Sequence, residues 1–228
     1  MTFITNIVKI MTKYWQVFLI HGIGYTLLLS LIAVAGGAFF GSLMALAKRS
    51  RLKLLKLIVD VIVAVVRGTP VLLQLYIGVF VFPLIIPKLS SMPYIYSVSI
   101  VLIINSSAYV SEIIRSGIEA VDPGQMEAAR SLGLPYWRSM HRVVLPQAIR
   151  TMIPSIINQF IITLKDTSIL SVIGFPELVN TAKNVVSKTF MSFQTWAIVG
   201  IMYLIVILIL QQAAKVIERR LKRGHRTI

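Results

Sequence analysis

Cysteine is absent from all 228 residues. Its absence excludes disulfides, thiolate metal ligands and thiol nucleophiles. Charge is scarce as well, at 14% of residues, where a soluble domain carries about a quarter. Negative charge is scarcer still, with 8 acidic against 23 basic side chains and a formal net charge of +15. The three histidines, His21, His141 and His225, are far apart and form no metal-ligand spacing. Asp60, Glu112 and Asp166 fall in different apolar runs, so no catalytic constellation is visible and no enzymatic activity is expected. Nothing matches GxxxxGK[ST], the loop that cradles nucleotide phosphates.

What fills the chain instead is apolar: 57% of residues are hydrophobic and the mean hydropathy is +0.83. A soluble fold of this size could not hide that surface, so the expected class is an all-α integral membrane protein. Crossing the hydrocarbon core takes about 20 apolar residues. Five such runs are expected as spans, at 22–47, 57–82, 93–114, 148–173 and 193–214. The "AVA" at 33–35 resembles a signal-peptide cleavage site, but the run continues to Ala47 and ends in a basic cluster, the pattern of a retained span. Residues 3–19 are too polar to span and are expected as an N-terminal helix lying in the interface. Without long polar stretches, residues 1–228 are expected to form a single transmembrane domain, with no fused soluble domain.

In a soluble protein the positive charge would point to nucleic acid. Here it lies beside the spans and reports orientation. Sixteen basic residues follow spans one, three and five, from Lys48–Lys56, Arg115–Arg150 and Lys215–Arg226, against five on the other side (Lys9, Lys13, Lys88, Lys183 and Lys188). By the positive-inside rule the N-terminus is then outside, the C-terminus cytoplasmic and 115–147 the longest cytoplasmic connection.

That connection reads "PGQMEAARSLGL" at 123–134, helix formers after Pro-Gly and before the terminator Gly133. "PYWRSMHRVVLP" follows as a second short helix, with Pro135 near its first turn and Pro146 closing it. Ala128 and Ala129 would give a flat face, rimmed by Glu127, Arg130, Arg138 and Arg142. The spacing Glu127-Ala128-Ala129, Gly133, Val143-x-Leu145-Pro146 resembles the signature loop of permease subunits of bacterial ABC importers, in which Val143 replaces the usual Ile. "VVRGTPVLLQL" (65–75), "SSAYVSEIIRSGIEAVDPGQMEAARSLGL" (106–134) and "NQFIITLKDTSILSVIG" (158–174) look like the polar amino-acid branch, similar to histidine and glutamine permeases.

The resemblance implies a type I ABC importer permease fold and a multi-pass place in the bacterial cytoplasmic membrane. It implies that the loop is the coupling helix docking on a separate ATPase dimer, which binds ATP and Mg; no cofactor is expected in this chain. The implied partners are a second permease subunit, identical or homologous, and an extracytoplasmic amino-acid-binding protein. The implied mechanism is alternating access, driven by closure of the ATPase dimer.

Ionisable and polar groups within spans are functional candidates by default. Gln159, Thr163 and Asp166 fall on one helical stripe, because seven residues make nearly two turns. Amide, hydroxyl and carboxylate could meet a zwitterionic amino acid, or could be helix–helix glue. Adjacent Lys165 and Asp166 point about 100° apart and do not pair face to face. The resemblance implies Glu at position 159 in carriers of cationic amino acids, so neutral Gln159 favours a neutral polar substrate, glutamine first. The same complex carrying basic amino acids or cystine is the alternative. Arg67, Gly68 and Thr69 open "RGTP", an irregular stretch that could line a cavity and bind substrate; Arg67 could equally pair with Asp60 or Glu112. Asn105 is glue or site, and Glu112 is expected to pair with Arg115. Gly37 and Gly41 form a GxxxG face, for a contact within the chain or a dimer seam. A secondary transporter would need an inverted repeat and about twice the spans. A structural anchor would not need Arg67 and Asp166 within the bilayer.

Overall fold

A computed structural model describes residues 2–86 and 91–223; Lys88 and Arg226, counted above for orientation, and His225 lie outside them. Among the described residues every regular element is helical. The chain begins with α1 (Thr2–Gln16), passes through a π-helical stretch (Val17–Ile23) and continues as α2 (Gly24–Lys48). α3 (Lys53–Gly68) is followed by α4 (Val71–Tyr76), a π-helical turn (Ile77–Val81) and the short α5 (Phe82–Ile85). α6 is Tyr94–Glu119, and α7 (Pro123–Ser131) and α8 (Tyr136–Ser139) lie in the connection after it. α9 (Leu145–Asp166) runs into a 3-10 stretch (Thr167–Ile173), and α10 (Leu178–Thr189) and α11 (Ser192–Arg223) complete the chain.

Four helical runs are long and apolar enough to cross a membrane, or five if α3 and the segment after it count as one interrupted span. The interruption is where the sequence weakens the helix. Pro70 is extended (φ −62°, ψ 136°), and the residue before a proline is driven out of the α region. The span expected at 57–82 is therefore two helices. Three further expectations need correction. The expected helix over 3–19 does form, but it joins α2 without a break. α6 extends to Glu119, which shortens the connection expected from 115. The second short helix does not close at Pro146: α8 passes through a π-helical turn (Met140–Val144) directly into α9. Pro146 has no N–H to lose at that point, and an irregular ladder just ahead of a proline lets a helix run on past it.

The chain divides into two compact units. The first comprises Met1–Ala33, Thr69–Leu102 and Phe160–Gln212. It holds one apolar cluster around Leu29, Leu75, Val98, Leu170 and Phe175. In a second cluster Ile10 of α1 and Phe18 of the π-helical stretch pack with Leu178, Val185 and Ile198. Gly22 fits because a Cβ there would lie 3.3 Å from the Leu178 backbone. The N-terminal segment is thus packed on α10 and α11, with Ile4, Val8 and Trp15 facing outward.

The second unit comprises Val34–Gly68, Ile103–Gln159 and Ala213–Ile228. Here α2 presses its glycines on α6: a Cβ at Gly36 would meet Ile103, one at Gly37 would meet Ser106, and one at Gly41 would lie 2.8 Å from the Ser107 carbonyl oxygen. The GxxxG face is therefore used within the chain. Val59 and Val63 of α3 pack on Ala108 of α6 beside Met44 and Ala47.

Candidate functional site

The connection between α6 and α9 is built by local signals. Asp122 caps α7, its carboxylate accepting from the Gly124 N–H at 2.7 Å, and Pro123 takes the first helical turn, where its missing N–H costs nothing. The helix ends in a Schellman motif. Gly133 adopts φ +83°, its N–H donates to the Arg130 carbonyl at 2.9 Å, and the Leu134 N–H donates to the Ala129 carbonyl at 3.2 Å. The Gln147 side chain donates to Gln125 Oε1 at 3.1 Å, tying α7 to the start of α9.

Glu127, Ala128, Arg130 and Gly133 are exposed, whereas Ala129 is buried. The flat two-alanine face expected from sequence is thus a correction: successive residues point about 100° apart, so Ala129 packs inward while Ala128 faces out. Leu132, 83% exposed, adds an apolar tip at the end of α7. Of the remaining residues of the spacing pattern, Val143 and Leu145 are half-buried and Pro146 is exposed.

A charge cluster joins three helices of the same unit. Lys48, at the end of α2, binds Glu112 of α6 at 2.6 Å and Asp60 of α3 at 3.2 Å. Glu112 also takes Arg115 at 3.0 Å, one turn away on α6, and Arg67 of α3 at 3.6 Å. Arg115 continues to Glu119 at 2.7 Å. The Arg67 guanidinium, with its side chain 44% exposed, also stands over the Tyr109 ring, 5.4 Å from its centroid. The structure thus gives Arg67 the structural partner weighed above, Glu112 rather than Asp60. The cluster balances three cations with three carboxylates, which lets charge persist at a span end.

Gly68 ends α3 with open space where a Cβ would be. Thr69 is engaged from within the chain: the Gln74 side-chain amide donates to its carbonyl at 3.1 Å and to its hydroxyl at 2.9 Å. Gln74 was missed in the sequence, although it stands in the quoted "VLLQL", because its tie to Thr69 exists only once the helix has broken. Gln159 and Thr163 are buried on one continuous α9, and Asp166, its last residue, is half-buried. Among the described residues Asp166 makes no ion pair with Lys165. Asn105 is half-buried on α6.

In the first unit, fully buried Glu177 caps α10, accepting from the N–H groups of Val179 and Asn180 at 2.8 and 2.7 Å. Tyr203 donates to it at 3.4 Å. Burial raises the Glu177 carboxyl from its usual range to about 7, against the lowering effect of those donors and of Lys183. An acid just ahead of a helix is a readable cap signal; the burial is not.

The profile of binding-protein-dependent transport system inner membrane components matches residues 37–223. The chain is 35% identical over 204 residues to the glutamine transport system permease protein of Escherichia coli (strain K12), covering 90% of this chain and 93% of that one. It is 36% identical over 205 residues to the arginine transport system permease protein of Bacillus subtilis (strain 168), with the same coverage. A crystal structure of an amino acid ABC transporter with histidines superimposes with a TM-score of 0.85 at 40% identity, covering 92% of this chain and 96% of that one. An inward-facing MetNI methionine ABC transporter shares the fold alone, with a TM-score of 0.73 at 16% identity.

Proposed function

The chain belongs to the family of binding-protein-dependent transport system inner membrane components, and on that premise we propose that it moves a neutral polar amino acid, glutamine first, through the bacterial cytoplasmic membrane. Its role is that of the permease subunit of an amino-acid ABC importer, a transport subunit of a multi-pass membrane family. In the proposed reading residues 1–228 are one permease domain with the N-terminus outside and the C-terminus in the cytoplasm. The chain pairs with a second permease subunit, identical or homologous, and receives substrate from an extracytoplasmic binding protein. ATP and Mg belong to a separate ATPase dimer.

The observation that carries this reading is α7 itself: a capped helix, closed by a Schellman turn, that presents Glu127, Ala128 and Leu132 outward. An exposed helix with an apolar tip is the form that lies in a groove of a partner. Val143, Leu145 and Pro146 then connect it to α9, so a displacement of α7 is passed to the helix bearing Gln159, Thr163 and Asp166. In the substrate reading the Asp166 carboxylate meets the ammonium group and the Gln159 amide the side chain, with Thr163 between them. Arg67, Gly68, Thr69 and Asn105 contribute polar lining. Basic amino acids are the second reading, favoured by the identity to an arginine permease.

Co-purification tests the docking: the ATPase subunit should elute with the wild-type chain and be lost when Glu127 is changed to Lys. Retention of the ATPase by Glu127→Lys sinks the docking role. Competition of the twenty amino acids for uptake by the reconstituted complex tests the substrate, and uptake of arginine or lysine with glutamine ignored overturns the glutamine assignment.

A further inference from the structure

Beside the docking helix, within the second unit, lies a cavity of ≈ 880 Å³ lined by Arg49, Arg51, Arg130, His141, Tyr136 and Trp137. Its lining holds three guanidinium groups and no carboxylate. In the cluster around Glu112 the cations are paired with carboxylates. Here they are not: among the described residues Arg51 and Arg130 form no ion pair, and Arg49 has only the Tyr136 hydroxyl at 3.2 Å. A concentration of uncompensated guanidinium groups is a site for an anion, and their planar forks match phosphate oxygens in pairs.

Two features narrow the anion to a lipid. Arg49 and Arg51 follow directly on the last residue of α2, Lys48, so the cavity opens at the level where a span leaves the hydrocarbon. Trp137, 68% exposed, and Tyr136 are the side chains that settle at that depth, with apolar bodies and polar edges. Leu46 and Met140 give the same cavity an apolar wall, which inorganic phosphate would not use and the first methylenes of an acyl chain would. Basic pockets beside spans are a known way to hold anionic head groups.

We propose that this cavity binds the phosphodiester of an anionic phospholipid, with Arg49 and Arg51 on the phosphate, Arg130 closing from α7, and Trp137 against the glycerol and upper chain. The site rests on the cytoplasmic assignment of the 120–147 connection made above. Because Arg130 lies on the docking helix, an occupied site holds α7 against the span end.

The test uses the full chain, purified with its partners and returned to nanodiscs of phosphatidylethanolamine with or without phosphatidylglycerol. Lipid retained after detergent washing is then quantified by mass spectrometry. The wild type should retain phosphatidylglycerol over phosphatidylethanolamine. Arg49→Gln/Arg51→Gln should lower that retention at least fivefold, while Arg219→Gln/Arg220→Gln, which alters a basic stretch elsewhere, should not. Equal retention by both double variants overturns the proposal, as does displacement of the lipid by millimolar inorganic phosphate, which would mark a free-anion site. Retention by the chain freed of its ATPase but not by the complete complex also overturns it, because the cavity would then belong to that protein. Retention is read without transport, so this site can fail while the importer reading stands.

Discussion

Glu177 carries a pH dependence whose sign follows from its burial. Burial pushes its native carboxyl up to about 7, from an ordinary 4.5, so the folded chain binds this proton more tightly than the unfolded one. The group's contribution to stability is therefore full below 4.5, falls as pH rises through 4.5 to about 7, and is flat beyond. The melting temperature of the purified protein should be higher at pH 5 than at pH 8. Glu177→Gln, which removes the titrating proton and keeps one acceptor oxygen for the helix N–H groups, should flatten that difference; an unchanged slope would refute the assignment. At Gln159 the prediction concerns specificity. Gln159→Glu should raise the ratio of arginine to glutamine uptake by about tenfold, the effect of roughly 1.4 kcal/mol. An unchanged ratio would remove Gln159 from the substrate path. Much at this scale was legible, since Asp122, Pro123 and Gly133 each announce a turn chemistry that the structure uses. The burial of Glu177 was not, because the chain that covers it, Tyr203 among it, comes from another helix, and Gln74 was not, because its tie to Thr69 forms only across the helix break.

At the scale of elements, the charge cluster at the ends of α2, α3 and α6 separates two expectations for Arg67 and Glu112. Glu112 holds three cations at once, and the Lys48 side chain it pairs with is only 9% exposed. Removing Glu112 takes the nearer carboxylate from the buried Lys48 ammonium, at about 3–5 kcal/mol. Arg67 is far more open, and its loss should cost about 1 kcal/mol or less. Unfolding of Glu112→Ala and Arg67→Ala in detergent should rank in that order, and the reverse order would contradict the account. The α2–α6 contact makes a second prediction. Gly41→Leu must push against the Ser107 carbonyl oxygen, which cannot move as a side chain can, so folded yield should fall sharply while a leucine at open Gly200 is tolerated. The GxxxG spacing was visible in the sequence, but its partner was not. The Lys48–Glu112 pair, 64 residues apart, left no local trace, whereas Glu112–Arg115, at one-turn spacing, did. The proline rule read at Pro70 held, and the same rule at Pro146 failed because a π-helical turn absorbs the irregularity there.

For the whole molecule, the apolar runs were legible because the bilayer imposes a length that composition must meet. The break in the second run was announced by Pro70, whereas the two compact units depend on packing that no periodicity encodes. The central claim is that α7 passes the work of an ATPase to a transport path. Gly133 is the sharpest handle on it, because its φ of +83° costs any other residue roughly 1–2 kcal/mol, while open space around it leaves no side chain to clash with. Gly133→Leu should therefore keep the spans folded and distort only the end of the docking helix. The deciding measurement is the ratio of ATP hydrolysed to amino acid taken up by the complex in liposomes, wild type against Gly133→Leu. The account predicts continued hydrolysis with uptake reduced at least tenfold; an unchanged ratio would contradict it.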